Sequence, residues 1–192
     1  SRVPRRRPQV LANTLATLDQ LSGGRVIFGA GLGGVDMEFS AFGEETDPHV
    51  RAEKLDEALE LLDRLLSGEP VTHIGRHYQA DDITLAPLPV QPRIPFWIGG
   101  ESPAALRRAA KWDGWVVGGL NEHYEFIHTP ETINEKISRI LRQRHSNASF
   151  EIAMTGISQS GDSETPRQFA QAGVTWWLES FSGLRGSHEG LI

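Results

Sequence analysis

Apolar positions recur at helical spacing over residues 8–22, where Val10, Leu11, Leu15, Leu18 and Leu21 share one stripe. Pro8 suits a first helical turn, and Gly23-Gly24 ends the segment. The pattern then changes. Val26-Ile27-Phe28-Gly29-Ala30-Gly31 is a short apolar run and reads as a buried strand. Helical periodicity returns over residues 48–66, with Asp47 as cap and Pro48 in the first position. Leu55, Leu59, Leu62 and Leu66 are expected inward there, and Glu53, Glu57, Glu60 and Asp63 outward. Gly68 and Pro70 close this helix.

Residues 71–78 form two short polar-flecked runs around Gly75-Arg76, which predicts a hairpin inserted at the surface over about residues 69–90. Strand and helix then alternate. Residues 94–98 form an apolar strand ended by Gly99-Gly100, and Ser102-Pro103 opens a helix carrying Ala105, Leu106, Ala109 and Ala110. Residues 115–117 form the next strand, ended by Gly118-Gly119. Thr129-Pro130 starts a helix with Ile133, Ile137, Ile140 and Leu141 on its inner face. A strand at 151–155, a short helix around 167–171 and a strand at 174–179 complete the series. Such alternation predicts a parallel sheet covered by helices. Five strands are expected, whereas a closed (β/α)8 barrel needs eight and typically ~250 residues. The alternatives are an open sheet or part of a barrel.

Composition narrows the function. A chain of 192 residues with 39% hydrophobic content is read as one domain, 1–192. Nineteen Lys and Arg against 25 Asp and Glu give a net charge of −6, with no electrostatic case for nucleic acid or an anionic membrane. Cys is absent, which excludes disulfides, thiol catalysis, iron–sulfur clusters and Cys-ligated zinc. No apolar run approaches the ~18 residues of a membrane span. Residues 1–8 are basic with no apolar stretch behind them, unlike a signal peptide. A cytoplasmic protein is expected.

Few motifs carry chemistry. Gly29-Ala30-Gly31-Leu32-Gly33-Gly34 satisfies G-x-G-x-x-G after a strand. A dinucleotide site also needs a helix opening at the third Gly, and residues 35–45 lack an apolar stripe. A plain Gly-rich loop is preferred to a NAD-binding Rossmann site. Gly99-Gly100-Glu101-Ser102-Pro103 is the better anion site, because two Gly admit a ligand close to the backbone and the helix opening leaves N–H groups free. Glu101 would contribute through its backbone, since its carboxylate repels an anion. An ordinary strand-to-helix turn explains the same spacing equally well.

The seven histidines, among them His73, His77, His123 and His128, show no metal-ligand spacing, and all read as exposed polar residues. Arg5-Arg6-Arg7 has the chemistry to reach a phosphate, although three charges near a chain end are more often solvated. Trp176 and Trp177 fall on opposite faces of one strand, one toward the sheet interior and one toward the helices. Glu179 ends that strand, where it is either a pocket-mouth acid and weak catalytic candidate or a solvated loop acid.

These residues resemble a known family. LATLDQLSGGRVIFGAGLGGVDMEFSAFG (15–43), RAEKLDEALELL, GEPVTHIGRHY, PLPVQPRIPFWIGGESPAALRRAAKWDGW and AGVTWWLES are similar, in order, to luciferase-like monooxygenases, including bacterial luciferase and the coenzyme F-420-dependent oxidoreductases. The resemblance implies a TIM-type (β/α)8 barrel, incomplete here, running from the helix after the third strand to the eighth strand. It implies FMN or a deazaflavin at the strand C-termini. By position, Gly99, Gly100, Glu101 and Ser102 fall where the family holds the cofactor phosphate, Gly118 and Gly119 on the next loop, and Gly31 on the loop beside the ring and phosphate. Leu32 stands where luciferases carry Arg, Met37 where some deazaflavin enzymes carry Asn, and Ala105 where luciferase has a hydroxyl. Each change removes a polar cofactor contact. The family's first three strands have no counterpart, and 182–192 stops where the last helix is expected to begin.

The resulting expectation is a flavin- or deazaflavin-dependent oxidoreductase or monooxygenase acting on a small-molecule substrate. The alternative is a truncated, non-catalytic cofactor-binding or vestigial protein. Open barrel edges are expected to be covered by a second copy of the chain, with Trp97, Trp115 or Trp176 near the covering surface.

Overall fold

Proline and capping side chains set the helix starts. In the computed structural model, Asp47 accepts the His49 N–H and Pro48 opens a helix, while Thr129 accepts the Thr132 N–H ahead of Pro130. The structure describes residues 1–34 and 36–181. The expected start of a last helix at 182–192 lies outside them. Two compact units divide the chain, 1–96 and 97–192.

The first unit opens with a short 3-10 turn, Val3–Arg5, followed by α1 (Pro8–Ser22) and β1 (Phe28–Ala30). A one-turn helix α2 (Met37–Ser40) and the long α3 (Pro48–Leu66) come next. Then β2 (Val71–Ile74) and β3 (Gln79–Ile83) form an antiparallel hairpin about the predicted Gly75-Arg76 turn, with the second strand beyond the 71–78 stretch expected to hold both. Leu55, Leu59, Leu62 and Leu66 of α3 are buried as expected. The α1 stripe is different. Val10, Leu18 and Leu21 are exposed, and the buried face is Leu11, Ala12, Leu15, Ala16 and Asp19. Two alanines permit close approach to α3, so the packing face follows small residues rather than the largest ones. The edge-to-face pair Phe28–Phe96 and a Phe28 N–H to Pro95 carbonyl bond fix the start of β1.

The second unit carries strand–helix alternation. β4 (Phe96–Gly99) leads to α4 (Pro103–Ala109), β5 (Gly114–Val117) to α5 (Pro130–Leu141), and β6 (Glu151–Gly156) to α6 (Glu164–Gln171) and β7 (Trp176–Glu179). Each neighbouring pair from β4 to β7 is parallel. The sheet order is β1-β4-β5-β6-β7, an open run of five strands among the described residues. The fold is therefore the α/β arrangement expected from the sequence. Ile133, Ile137 and Ile140 are buried, whereas Leu141 ends α5 exposed. Trp115 and Trp97 are buried within the chain and Trp176 is half exposed.

The Rossmann reading fails on geometry. α2 spans only 37–40 and begins after Asp36, so no long helix opens at Gly33-Gly34. Gly33 serves packing: at φ +83 it lies so close to Phe39 that an added Cβ would stand 2.7 Å from the ring.

Candidate functional site

The parallel pairing of β4 with β5 sets Gly99 beside Val116. The loops that leave these strands, 99–102 and 118–119, therefore emerge side by side at one end of the sheet. Gly100 holds a left-handed φ of +113, with Ala105 Cβ 3.0 Å from where a Cβ would stand, so the turn requires glycine. The Trp115 indole N–H donates to the Gly100 carbonyl at 2.8 Å, and Ser102 Oγ accepts the Ala105 N–H at 3.2 Å. The backbone N–H groups of Glu101 and Ser102 meet no acceptor among the described residues. Unpartnered donors on a turn fixed at both ends suit an oxyanion.

The Glu101 carboxylate does not stand free beside those donors. It is ion-paired with Lys136 of α5. His128, from the loop before α5, brings its buried Nε2 to 2.8 Å from the same carboxylate oxygen without forming a hydrogen bond. Burial holds the His128 imidazole below its ordinary pKa; the Lys136 charge adds to this, and Glu101 opposes it. The pairing lessens the repulsion expected from Glu101 toward an anion. Lys136 and His128 escape sequence reasoning because α5 and its preceding loop join the site only through the fold.

Gly119 is fixed by close packing. Its N–H donates to Thr155 Oγ1 at 2.9 Å, and a Cβ there would stand 2.0 Å from the Thr155 carbonyl oxygen. Gly118 faces open space. Gly31, in the first unit, follows β1 with an isolated parallel bridge to Arg2 and likewise has room around it. Glu179 ends β7 beside Gly156 of β6. Its carboxylate accepts the Ser158 N–H at 2.9 Å, the Ser158 hydroxyl at 2.8 Å and the Trp177 indole N–H at 2.8 Å. These bonds tie the ends of β6 and β7 together. Trp177 packs on Phe126 and Phe169, and Trp176 meets Trp97 edge to face, so the two tryptophans do occupy opposite faces.

The reading of exposed histidines holds for His49, His123 and His145 and fails for His73, His77 and His128, while His188 lies outside the described residues. In the first unit, Glu57 turns inward from α3 and accepts from His73 Nε2 at 3.0 Å, the Tyr78 N–H at 2.8 Å and the His77 N–H. His77 Nε2 reaches Glu53 at 3.1 Å. Burial works to raise the Glu57 pKa, but the His73 bond and the backbone N–H groups of His77 and Tyr78 together hold it below the ordinary carboxylate range. This cluster clamps the hairpin turn. Among the described residues no group of three or more His, Asp or Glu is placed to hold a metal ion. No helix among them is long and apolar enough to cross a membrane.

The family model for luciferase-like monooxygenases matches residues 1–180. An uncharacterized protein of Mycobacterium tuberculosis (strain ATCC 25618 / H37Rv) is 31% identical over 159 residues, which are 81% of this chain and 51% of that protein. The F420-dependent glucose-6-phosphate dehydrogenase of Microbacterium testaceum is 36% identical over 104 residues, 54% of this chain and 31% of that enzyme. Among solved structures, an F420-dependent secondary alcohol dehydrogenase in complex with an F420-acetone adduct superposes with a TM-score of 0.65. It is 26% identical, over 80% of this chain and 46% of that one. The chain thus spans about half the length of that mycobacterial relative and of that dehydrogenase structure. With the expected order of strands and helices and a family match over nearly its whole length, the chain belongs to the luciferase-like monooxygenase family.

Proposed function

We propose that the chain belongs to a coenzyme F-420-dependent oxidoreductase and that its strand-end loops hold the cofactor's phosphate. The fixed Gly100 turn, with the Glu101 and Ser102 N–H groups free, carries this reading. Those two donors and the Ser102 hydroxyl would bind a phosphate oxygen, and Gly118 leaves the neighbouring loop open to close approach. The bound deazaflavin would supply a hydride acceptor or donor. The two F420-dependent relatives act, by their names, on glucose 6-phosphate and on a secondary alcohol. An alcohol–carbonyl couple is accordingly the substrate class proposed here.

Within this reading the chain's own residues have limited tasks. Lys136 neutralises Glu101 beside the phosphate donors, and Trp115 locks the turn through the Gly100 carbonyl. Glu179 aligns the ends of β6 and β7 rather than moving a proton, because its oxygens already accept three hydrogen bonds. An assay of the chain with oxidised coenzyme F-420 and a panel of secondary alcohols tests the reading. Cofactor reduction above the rate without protein is the expected result. Turnover only with reduced FMN and oxygen would replace it with a flavin monooxygenase. Cofactor binding with no turnover of either kind would leave a cofactor-binding protein.

A further inference from the structure

The first unit holds a second polar cavity that the proposed phosphate loops do not use. It has a volume of about 410 Å³ and lies among the 3-10 turn, the segment after α2, the start of α3 and the hairpin turn. Arg5, Arg6, Arg7, Arg51 and Lys54 line it, against the carboxylates of Glu44 and Glu45. Five cations to two anions is unusual in a chain whose net charge is −6. Arg5 is already paired with Glu44, and Glu45 accepts the Asp47 N–H at 2.9 Å. The charged heads of Arg6, Arg7 and Lys54 make no ion pair among the described residues.

Arg51 marks the cavity as built rather than incidental. Its side chain is 5% exposed, stacked with its guanidinium carbon 4.3 Å from the Phe39 ring centroid, and it donates to Asp36 at 2.9 Å. Yet its Nε is buried with no hydrogen-bond partner. A buried guanidinium donor left unmet is destabilising by itself, and an anion in the cavity would meet it. Phe39 and Tyr78 give the wall an apolar component. The volume lies in the range that takes a small molecule rather than a lone ion.

We infer that this cavity binds a small molecule through a multiply charged oxyanion group, held by Arg6, Arg7, Lys54 and the unmet Nε of Arg51. The shared chemistry is a phosphate or a polycarboxylate, and the inference stands on the first unit alone. Isothermal titration of the 192-residue chain with pyrophosphate and, separately, with citrate at low ionic strength tests it. Saturable one-to-one binding of at least one anion is expected, and the tighter of the two identifies the group. Arg6→Glu, at an exposed position, and Lys54→Glu, at a half-buried one, should each weaken that binding about tenfold or more with an unchanged far-UV spectrum. Ser102→Asp, which alters the phosphate loop of the other unit, should leave it unchanged and so separates this cavity from the proposed cofactor site. Absence of saturable binding of either anion at millimolar concentration overturns the inference. So does an affinity that neither charge reversal moves, or one that Ser102→Asp abolishes.

Discussion

Two acid clusters built from the same residue types behave in opposite ways. In the first unit Glu57 meets His73 and two backbone N–H groups, every contact is a hydrogen bond, and the carboxyl is held below its ordinary pKa. In the second unit Glu101 is crowded by Lys136 and His128, and the buried imidazole nitrogen goes without a hydrogen bond. The contrast lies in what surrounds each carboxylate. Three hydrogen-bond partners converging on one carboxylate make a clamp. A lysine and a buried imidazole around one oxygen make a site in which the titration of the imidazole depends on both neighbours. Asp19 belongs with the first kind: wholly buried in α1, it accepts from the Gln91 backbone and side chain and from the Val26 N–H.

Removing Asp19 should have the largest effect. Asp19→Ala leaves those donors buried without an acceptor, and a loss of about 3 kcal/mol or more is expected in denaturant unfolding. A loss below about 1 kcal/mol would show that water replaces the carboxylate and would place the fold's anchor elsewhere.

Glu57→Gln comes next, at about 1–3 kcal/mol, because the amide cannot satisfy all three donors. Amide exchange at His77 and Tyr78 should quicken more than exchange in α3. The pH response has a definite sign. Burial opposes ionisation of both acids, but the donors around them outweigh it, and both pKa values are lowered in the fold. Their contribution is therefore present above the ordinary carboxylate range and is lost as pH falls through their lowered values. Stability that rises on acidification below pH 4 would contradict the clamp.

These clusters also mark how far the sequence is legible. The α3 stripe, the caps at Asp47, Ser102 and Thr129 and the five strands are visible because each is a local pattern of apolar spacing or turn chemistry. The α1 face is misread from its large apolar residues, since burial there follows Ala12, Ala16 and a hydrogen-bonded Asp19. Glu57 looks outward by helical period and is drawn inward by hairpin N–H groups that no helix pattern contains. Of the candidate cofactor site, the turn at Gly99 to Ser102 is legible, and the partners of Glu101 are not.

The smallest effects belong to the second cluster, where Glu101 and Lys136 are partly exposed. Breaking the Glu101–Lys136 pair should change stability by no more than about 1 kcal/mol. The His128 titration is the sharper readout. Burial lowers its pKa and Lys136 lowers it further, so Lys136→Met should raise it; Glu101→Gln should lower it. A folded pKa below the unfolded one means that this histidine's contribution is intact above about pH 6.5 and falls as pH drops below that value. Imidazole proton shifts across pH, followed by NMR in both variants, check the two directions. Shifts of the same sign would dissolve the contrast between the clusters.

The central claim is that the turn at Gly99 to Ser102 holds a deazaflavin phosphate. Its most direct test is a titration of coenzyme F-420 followed by tryptophan fluorescence, since Trp115 is bonded to that turn through the Gly100 carbonyl. Ser102→Asp is the control, because aspartate preserves the helix cap and places a negative charge against the phosphate. Saturable quenching in the native chain, with affinity weakened about tenfold or more by Ser102→Asp, is the predicted result. No response at millimolar cofactor, or the same affinity in both proteins, would contradict it.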